Sequence, residues 1–240
     1  MPFPSAGRCL IVVGTTLTHY AMAHRETWAT WLDAAEGLQE HSPEPLKFFA
    51  AIEVDGRGEA PFAPLISRLQ ELDSDWWIFR LDDGRTEAFT AAARLPHICT
   101  GRNLIAELAT ALGASHVLYL DADCCPPPDA LPKLLELDWP YVGGEVPTYC
   151  LHGEPLPGPI PVEEHMPVAA FLLVRREIFK RLRWRSDLAM GMHDDACYHR
   201  DAEQLLGIRA RVRKDVIGRH YPESIGPIET RFPGRDMSVR

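Results

Sequence analysis

The tightest constraint on this chain is a regular alternation, over its first 123 residues, of short β-rich stretches with stretches of helical spacing. CLIVVGTT (9–16), PLKFFAAIEVDGRG (45–58), SDWWIFRLDDG (74–84) and HVLYLDAD (116–123) are continuous apolar runs closed by Gly, Asp-Gly or acidic turns, which is how buried strands read. Between them, AMAHRETWATWLDAAEGL (21–38), APFAPLISRLQEL (60–72) and CTGRNLIAELATALGA (99–114) space their apolar residues for helices. The middle one carries proline in its first turn, where a missing N–H costs little. Such alternation predicts an α/β fold: a mostly parallel central sheet with helices on both faces. In sheets of this kind ligands bind outside the carboxyl ends of the strands. Asp55, Asp83, Asp121 and Asp123 all fall at or just past predicted strand ends.

The second half is less regular. PDALPKLLEL (128–137) reads as a short helix and YVGGEVPTY (141–149) as a strand with a Gly-Gly irregularity. LHGEPLPGPIPVEEHMP (151–167) has no periodicity and is expected to be a long loop, a length usually kept for function. Its His152 and His165 read as surface residues. VAAFLLVRREIFKRLRW (168–184) predicts strand then helix, MHDDACYHRDAEQLLGI (192–208) a helix, and RARVRKDVIGRHYP (209–222) a strand leading to His220. The length suits a single domain over residues 1–240.

Charge narrows the partners. The net charge is −9, yet RREIFKRLRWR (175–185) holds six cations and reads as a solvated helix face or an anion site. The acidic balance speaks against general nucleic-acid binding. The six cysteines include no C-x-x-C pair, and no apolar stretch matches a membrane span or a secretion signal. A soluble, cytoplasmic protein with reduced thiols is the expectation.

The candidate chemistry sits in three places. Asp121 and Asp123 are two apart at a strand end, so they point the same way and can flank one cation. Carboxylate oxygens suit Mg²⁺ or Mn²⁺; a solvated turn is the other reading of D-x-D. Asp194 and Asp195 open a predicted helix, where they can stabilise the helix dipole or serve as a general base. His220 follows the last strand and is either a surface or core residue or a further metal ligand. Cys124-Cys125 is not expected to bind metal and reads as a strand-breaking or packing feature.

In this order the features resemble the GT-A-fold, Rossmann-like glycosyltransferases, closest to the family 2 group of nucleotide-sugar enzymes, over residues 9–222. The resemblance implies a nucleotide-sugar-binding half at 9–123, an acceptor and catalytic half at 124–222, and a tail at 223–240. It implies donor contacts from Val13, Gly14 and Thr15, and from Asp55 at the base or ribose. Asp83 lies in a similar turn one strand later. Arg102 is placed near the pyrophosphate with Asn103 beside it. Asp121 and Asp123 are the metal motif for Mn²⁺ or Mg²⁺, Asp121 also touching the donor, and His220 is the remaining ligand. Asp195 is the general base of an inverting transfer, with Asp194 beside it. The expected donor is a nucleoside diphosphate sugar, UDP-linked by preference; the acceptor is open among glycan, protein and modified nucleic acid. A sugar-1-phosphate nucleotidyltransferase is disfavoured because GTTLTHYAMAHRE lacks a Gly-rich signature bearing Arg and Lys. A non-catalytic nucleotide- or partner-binding protein on the same fold is the reading from another class.

Overall fold

The computed structural model describes residues 9–17, 25–53, 63–71, 75–79, 91–122, 124–145, 169–190 and 192–220. Asp55, Asp83, Asp123, the proline-rich stretch 151–167 and the tail 223–240 lie outside them.

Seven strands form one sheet: β1 (Ile11–Leu17), β2 (Leu46–Glu53), β3 (Asp75–Phe79), β4 (His116–Leu120), β6 (Tyr141–Glu145), β7 (Phe171–Arg175) and β8 (Arg211–Ile217). Their order is β3-β2-β1-β4-β7-β6-β8. β1, β2, β3 and β4 are mutually parallel, as the alternation predicts, and β8 is parallel to β6. Only β7 runs against both of its neighbours. A two-stranded ladder stands apart, pairing β5 (Cys124–Cys125) antiparallel with β9 (Arg219–His220). The Cys-Cys dipeptide therefore does more than break a strand: it is itself a strand, with Cys124 fully buried.

Helices cover both faces. On one side α1 (Arg25–His41), α2 (Ala63–Glu71) and α4 (Ala130–Glu136) send Trp31, Leu38, Leu65, Leu69, Leu131 and Leu134 onto Ile11, Val13 and Leu17. On the other, α3 (Ala91–Ala111), α5 (Arg176–Phe179) and α6 (Asp194–Leu206) pack Ile105, Phe179 and Tyr198 against Val12, Val117 and Tyr119. The split between Val12 and its neighbours Ile11 and Val13 is the period-two alternation of a strand covered on both faces.

Two boundaries differ from the sequence reading, and one irregularity agrees with it. β1 does not end at Gly14 but runs on to Leu17. The glycine serves helix packing instead: a Cβ on Gly14 would lie 2.3 Å from Cγ2 of the buried Ile105 on α3. Helix α3 begins at Ala91, eight residues before the expected start, and runs across Pro96. The Gly-Gly irregularity is present as a register shift between Gly144 and Glu145, where β6 meets β8. No helix among the described residues is long and apolar enough to cross a membrane.

Because Ile105 is fully buried, Gly14→Ala should destabilise the fold by about 1–3 kcal/mol through overpacking. Urea unfolding checks this, and combining it with Ile105→Ala should recover part of the loss. Additive losses would mean that Gly14 and Ile105 do not contend for the same space.

Candidate active site

Asp121 is the first residue beyond β4, at the carboxyl edge of the parallel strands. Its main-chain N–H donates to Ala170 O at 3.0 Å, which ties this end of β4 to the turn entering β7. Asp194 and Asp195 form the first turn of α6, behind the N-cap His193. Helix α3 supplies the group that joins them. Its Gly101 packs on Thr16 near the end of β1, where a Cβ would lie 2.3 Å from Thr16 Cγ2, so only glycine lets α3 come this close. The next residue is Arg102.

Arg102 is 4% exposed and meets three carboxylates. Its Nη2 donates to both oxygens of Asp121, at 2.9 and 3.0 Å. Nη1 donates to Asp194 Oδ2 and, at 3.5 Å, to Asp195 Oδ1. Burial alone would disfavour its charge, but Asp121, Asp194 and Asp195 hold it firmly protonated. The pair of Asp121 and Arg102 has the two-pronged geometry for which a planar guanidinium is suited. With all three acids ionised, one cation faces three anions, so the cluster stays short of positive charge.

That deficit shows in Asp195. Desolvation, then repulsion from Asp194, pushes its carboxyl up to about 7 against the pull of Arg102, with Asp121 adding to the rise. The Asp195 side chain is 35% exposed, whereas Asp194 is 8% exposed. The two adjacent aspartates thus divide: Asp194 is buried on Arg102, and Asp195 combines solvent access with a proton affinity near neutrality. Of the pair, Asp195 has the properties of a general base. Cys99 has the reverse. Burial and then Asp194 push its thiol up to about 12, which removes it as a nucleophile near pH 7.

The other expected site residues are placed as follows. Val13, Gly14 and Thr15 lie inside β1 rather than in a loop. Val13 is in the core, and Thr15 is buried with a hydroxyl that has no partner among the described residues. Asn103, expected beside Arg102 at the donor, has both sides of its amide on the main chain of Trp184. The basic stretch starts at the far edge, since reversed β7 sets Arg175 opposite His116 at the amino end of β4. Two of its cations pair with carboxylates, Arg175 with Asp138 and Arg185 with Asp201.

Of the three residues expected to hold a divalent cation, only Asp121 has a described side chain. Asp121 is 33% exposed and keeps a solvent-facing side beyond its Arg102 contacts. The β5–β9 register sets the His220 main chain opposite Cys124, the residue that follows Asp123. Two carboxylates and an imidazole are oxygen-rich ligands of the kind Mn²⁺ accepts. Among the described residues no three acidic, His or Cys side chains gather as a metal cluster. Asp123 and the His220 side chain fall outside that description.

Two features escaped the sequence reading. Glu53, the last residue of β2, is a buried carboxylate bonded to Nδ1 of buried His97 on α3. Trp184 lies against Arg102, with the guanidinium carbon 4.7 Å from its ring centre. The only sequence signal for Trp184 was one aromatic in a basic run, which periodicity does not single out.

No family model matches the sequence, and no curated protein matches it. Solved structures that resemble it include the galactosyltransferase LgtC in complex with donor and acceptor sugar analogues, with a TM-score of 0.42 and 16% identity. That match covers 71% of this chain and 60% of LgtC, so the chain spans less than two thirds of that protein. A 4-diphosphocytidyl-2C-methyl-D-erythritol synthase matches with a TM-score of 0.46 and 14% identity, over 88% of this chain and 90% of its own. The apo form of mouse xyloside xylosyltransferase 1 matches with a TM-score of 0.46 and 12% identity, over 85% of each chain. These are likenesses of chain path.

Removing the cation should expose how much the cluster depends on it. Arg102→Met leaves three carboxylates facing one another and should destabilise the fold by about 3–5 kcal/mol near neutral pH. Without Arg102 the acids hold their protons more tightly folded than unfolded. The deficit should therefore grow as pH rises above about 4 and shrink as pH falls toward that value, which unfolding at several pH values measures. A pH-independent deficit would mean that lost packing, not charge, dominates.

Proposed function

We propose that this protein transfers a glycosyl group from a nucleoside diphosphate sugar, UDP-linked by preference, to an acceptor hydroxyl. One observation carries this reading. At the carboxyl edge of the sheet, Arg102 draws together Asp121 from the end of β4 and Asp194 and Asp195 from the start of α6. An acid suited to the donor side and a base suited to the acceptor side thus share one fixed centre.

In the transfer, the acceptor oxygen bonds to the anomeric carbon as the bond from that carbon to the diphosphate oxygen breaks. The hydroxyl proton passes to Asp195, and the nucleoside diphosphate leaves. Attack opposite the leaving group inverts the anomeric centre. Asp195 is the exposed member of its pair and has the raised proton affinity that a base working near neutrality needs. Asp194 and Arg102 keep it in place. Asp121, Asp123 and His220 would hold Mn²⁺ or Mg²⁺, which when bound neutralises charge on the departing diphosphate. Arg175 pairs with His116 at the opposite end of β4 from Asp121, so that cation does not flank the cluster.

A screen of nucleotide sugars with Mn²⁺, by calorimetry and by release of the diphosphate, should find a donor that binds and is slowly hydrolysed. Asp195→Asn should lower turnover by about 10²–10⁴-fold, the usual range for loss of a general base. Asp123→Ala should weaken binding of donor and Mn²⁺ together. Absence of binding to every nucleotide sugar, or unchanged turnover in both variants, overturns the assignment.

The proton carried by Asp195 also sets a pH profile. The base must be ionised to act, so kcat/KM should rise with pH through about 7 and level off above it. A profile flat between pH 5 and 9, an interval of about two units either side, would place the base elsewhere.

A further inference from the structure

The guanidinium of Arg102 is held by carboxylates and lies over the ring of Trp184. Trp184, 3% exposed, presents its ring to the guanidinium carbon at 4.7 Å, a cation–π contact in a desolvated setting. The ring is itself fixed on other sides. Tyr198 of α6 stacks on it at 4.0 Å between centroids with an 11° interplanar angle, and Tyr119 of β4 meets it edge-on at 5.0 Å. Tyr198 is one helical turn beyond Asp194 and Asp195, so the stack touches the helix that carries the acids.

Trp184 lies in neither helix nor strand. It belongs to the irregular stretch between α5 and the short 3₁₀ turn at Leu188–Met190, so no ladder of main-chain hydrogen bonds fixes its backbone. Asn103 does this instead. The Trp184 N–H donates to Asn103 Oδ1 at 2.9 Å, and Asn103 Nδ2 donates to the Trp184 carbonyl at 3.0 Å. A side-chain amide that satisfies both main-chain groups of one residue acts as a one-residue strand partner. Asn103 is also the neighbour of Arg102 along α3. The contacts therefore close a ring: Arg102, the peptide to Asn103, the Trp184 main chain, the indole, and Arg102 again.

We propose that Asn103 and Trp184 are positioning residues, which fix the plane of the Arg102 guanidinium and so determine how Asp121, Asp194 and Asp195 are aimed. An arginine side chain has many rotamers of similar energy, and three carboxylates surround it here. Carboxylates alone satisfy several orientations of the fork; the indole ring, 4.7 Å from the guanidinium carbon, restricts them. The consequence for chemistry rests on the transfer reaction proposed above, whereas the orientation of Arg102 does not depend on it.

The test uses the full chain in four forms: wild type, Trp184→Phe, Trp184→Leu and Asn103→Ala. Phenylalanine keeps an aromatic face, leucine keeps apolar volume alone, and alanine removes the amide. Each is read in three ways: by urea unfolding, by the nitrogen-15 and proton signals of the Arg102 side chain, and by kcat and KM on the donor found in the screen. In wild type the Arg102 Nη protons should be distinct, because rotation of the guanidinium is slowed. In Trp184→Leu and Asn103→Ala they should average, and kcat should fall about 10- to 100-fold with donor KM within about twofold, as for a misaimed group. Trp184→Phe should restore distinct signals and most of kcat. A role in packing alone predicts something else: lowered stability in all three variants, with wild-type Arg102 signals and wild-type kcat per folded molecule. That result overturns the proposal, as does a Trp184→Leu protein that matches Trp184→Phe in both readouts. If no form turns over any donor, yet the Arg102 signals average in Trp184→Leu and not in Trp184→Phe, the positioning of Arg102 stands and the transfer reading falls.

Discussion

One buried guanidinium organises the carboxyl edge of the parallel strands in this protein. A lone charge at 4% exposure is tolerable only when paired and hydrogen-bonded, and Arg102 finds its partners on two other elements. That requirement works in both directions. Asp194 is nearly as buried and depends on Arg102 in turn. Charge balance therefore fixes α3, β4 and α6 relative to one another, and hydrophobic packing fills in behind. Desolvation, and then the excess of acid over base, leaves one carboxylate, Asp195, with its raised proton affinity.

The sheet explains why these residues meet. Parallel β1 to β4 bring their carboxyl ends to one edge, and Asp121 sits there. The reversal of β7 carries the chain to the opposite edge, so it must travel back through the irregular stretch containing Trp184 before α6 can begin beside Asp121. The return path is used as a wall: Trp184, Tyr119 and Tyr198 form the aromatic floor under Arg102.

Much of this was legible from residue order alone. Strand and helix periods in the first half give the α/β layering, because each buried strand must be apolar on both faces and each helix on one. The candidate acids were legible too, since a carboxylate at the end of an apolar strand stands out; Arg102, Asp121, Asp194 and Asp195 meet as four side chains around one point. Other features were hidden for physical reasons. Gly14 reads as a strand end, but it is the space that Ile105 occupies. The direction of β7 is invisible because FLLVR is equally apolar read either way. Asn103 and Trp184 were beyond reach: their bond spans 81 residues and joins a helix to a stretch with no period. The same holds for Glu53 and His97, each of which looks ordinary until the fold buries both.

The small ladder between Cys124–Cys125 and Arg219–His220 bears on how the protein assembles. It joins two segments that stand far apart in the chain with only two residues on each side. Long loop closure with so little reward belongs late in folding, after the seven-stranded sheet exists to hold the two ends near each other. A ladder this short is also among the cheapest parts of the molecule to open, so its amides should exchange with solvent well before those of β1 or β4. The edge where chemistry is expected is therefore the last to close and the first to breathe.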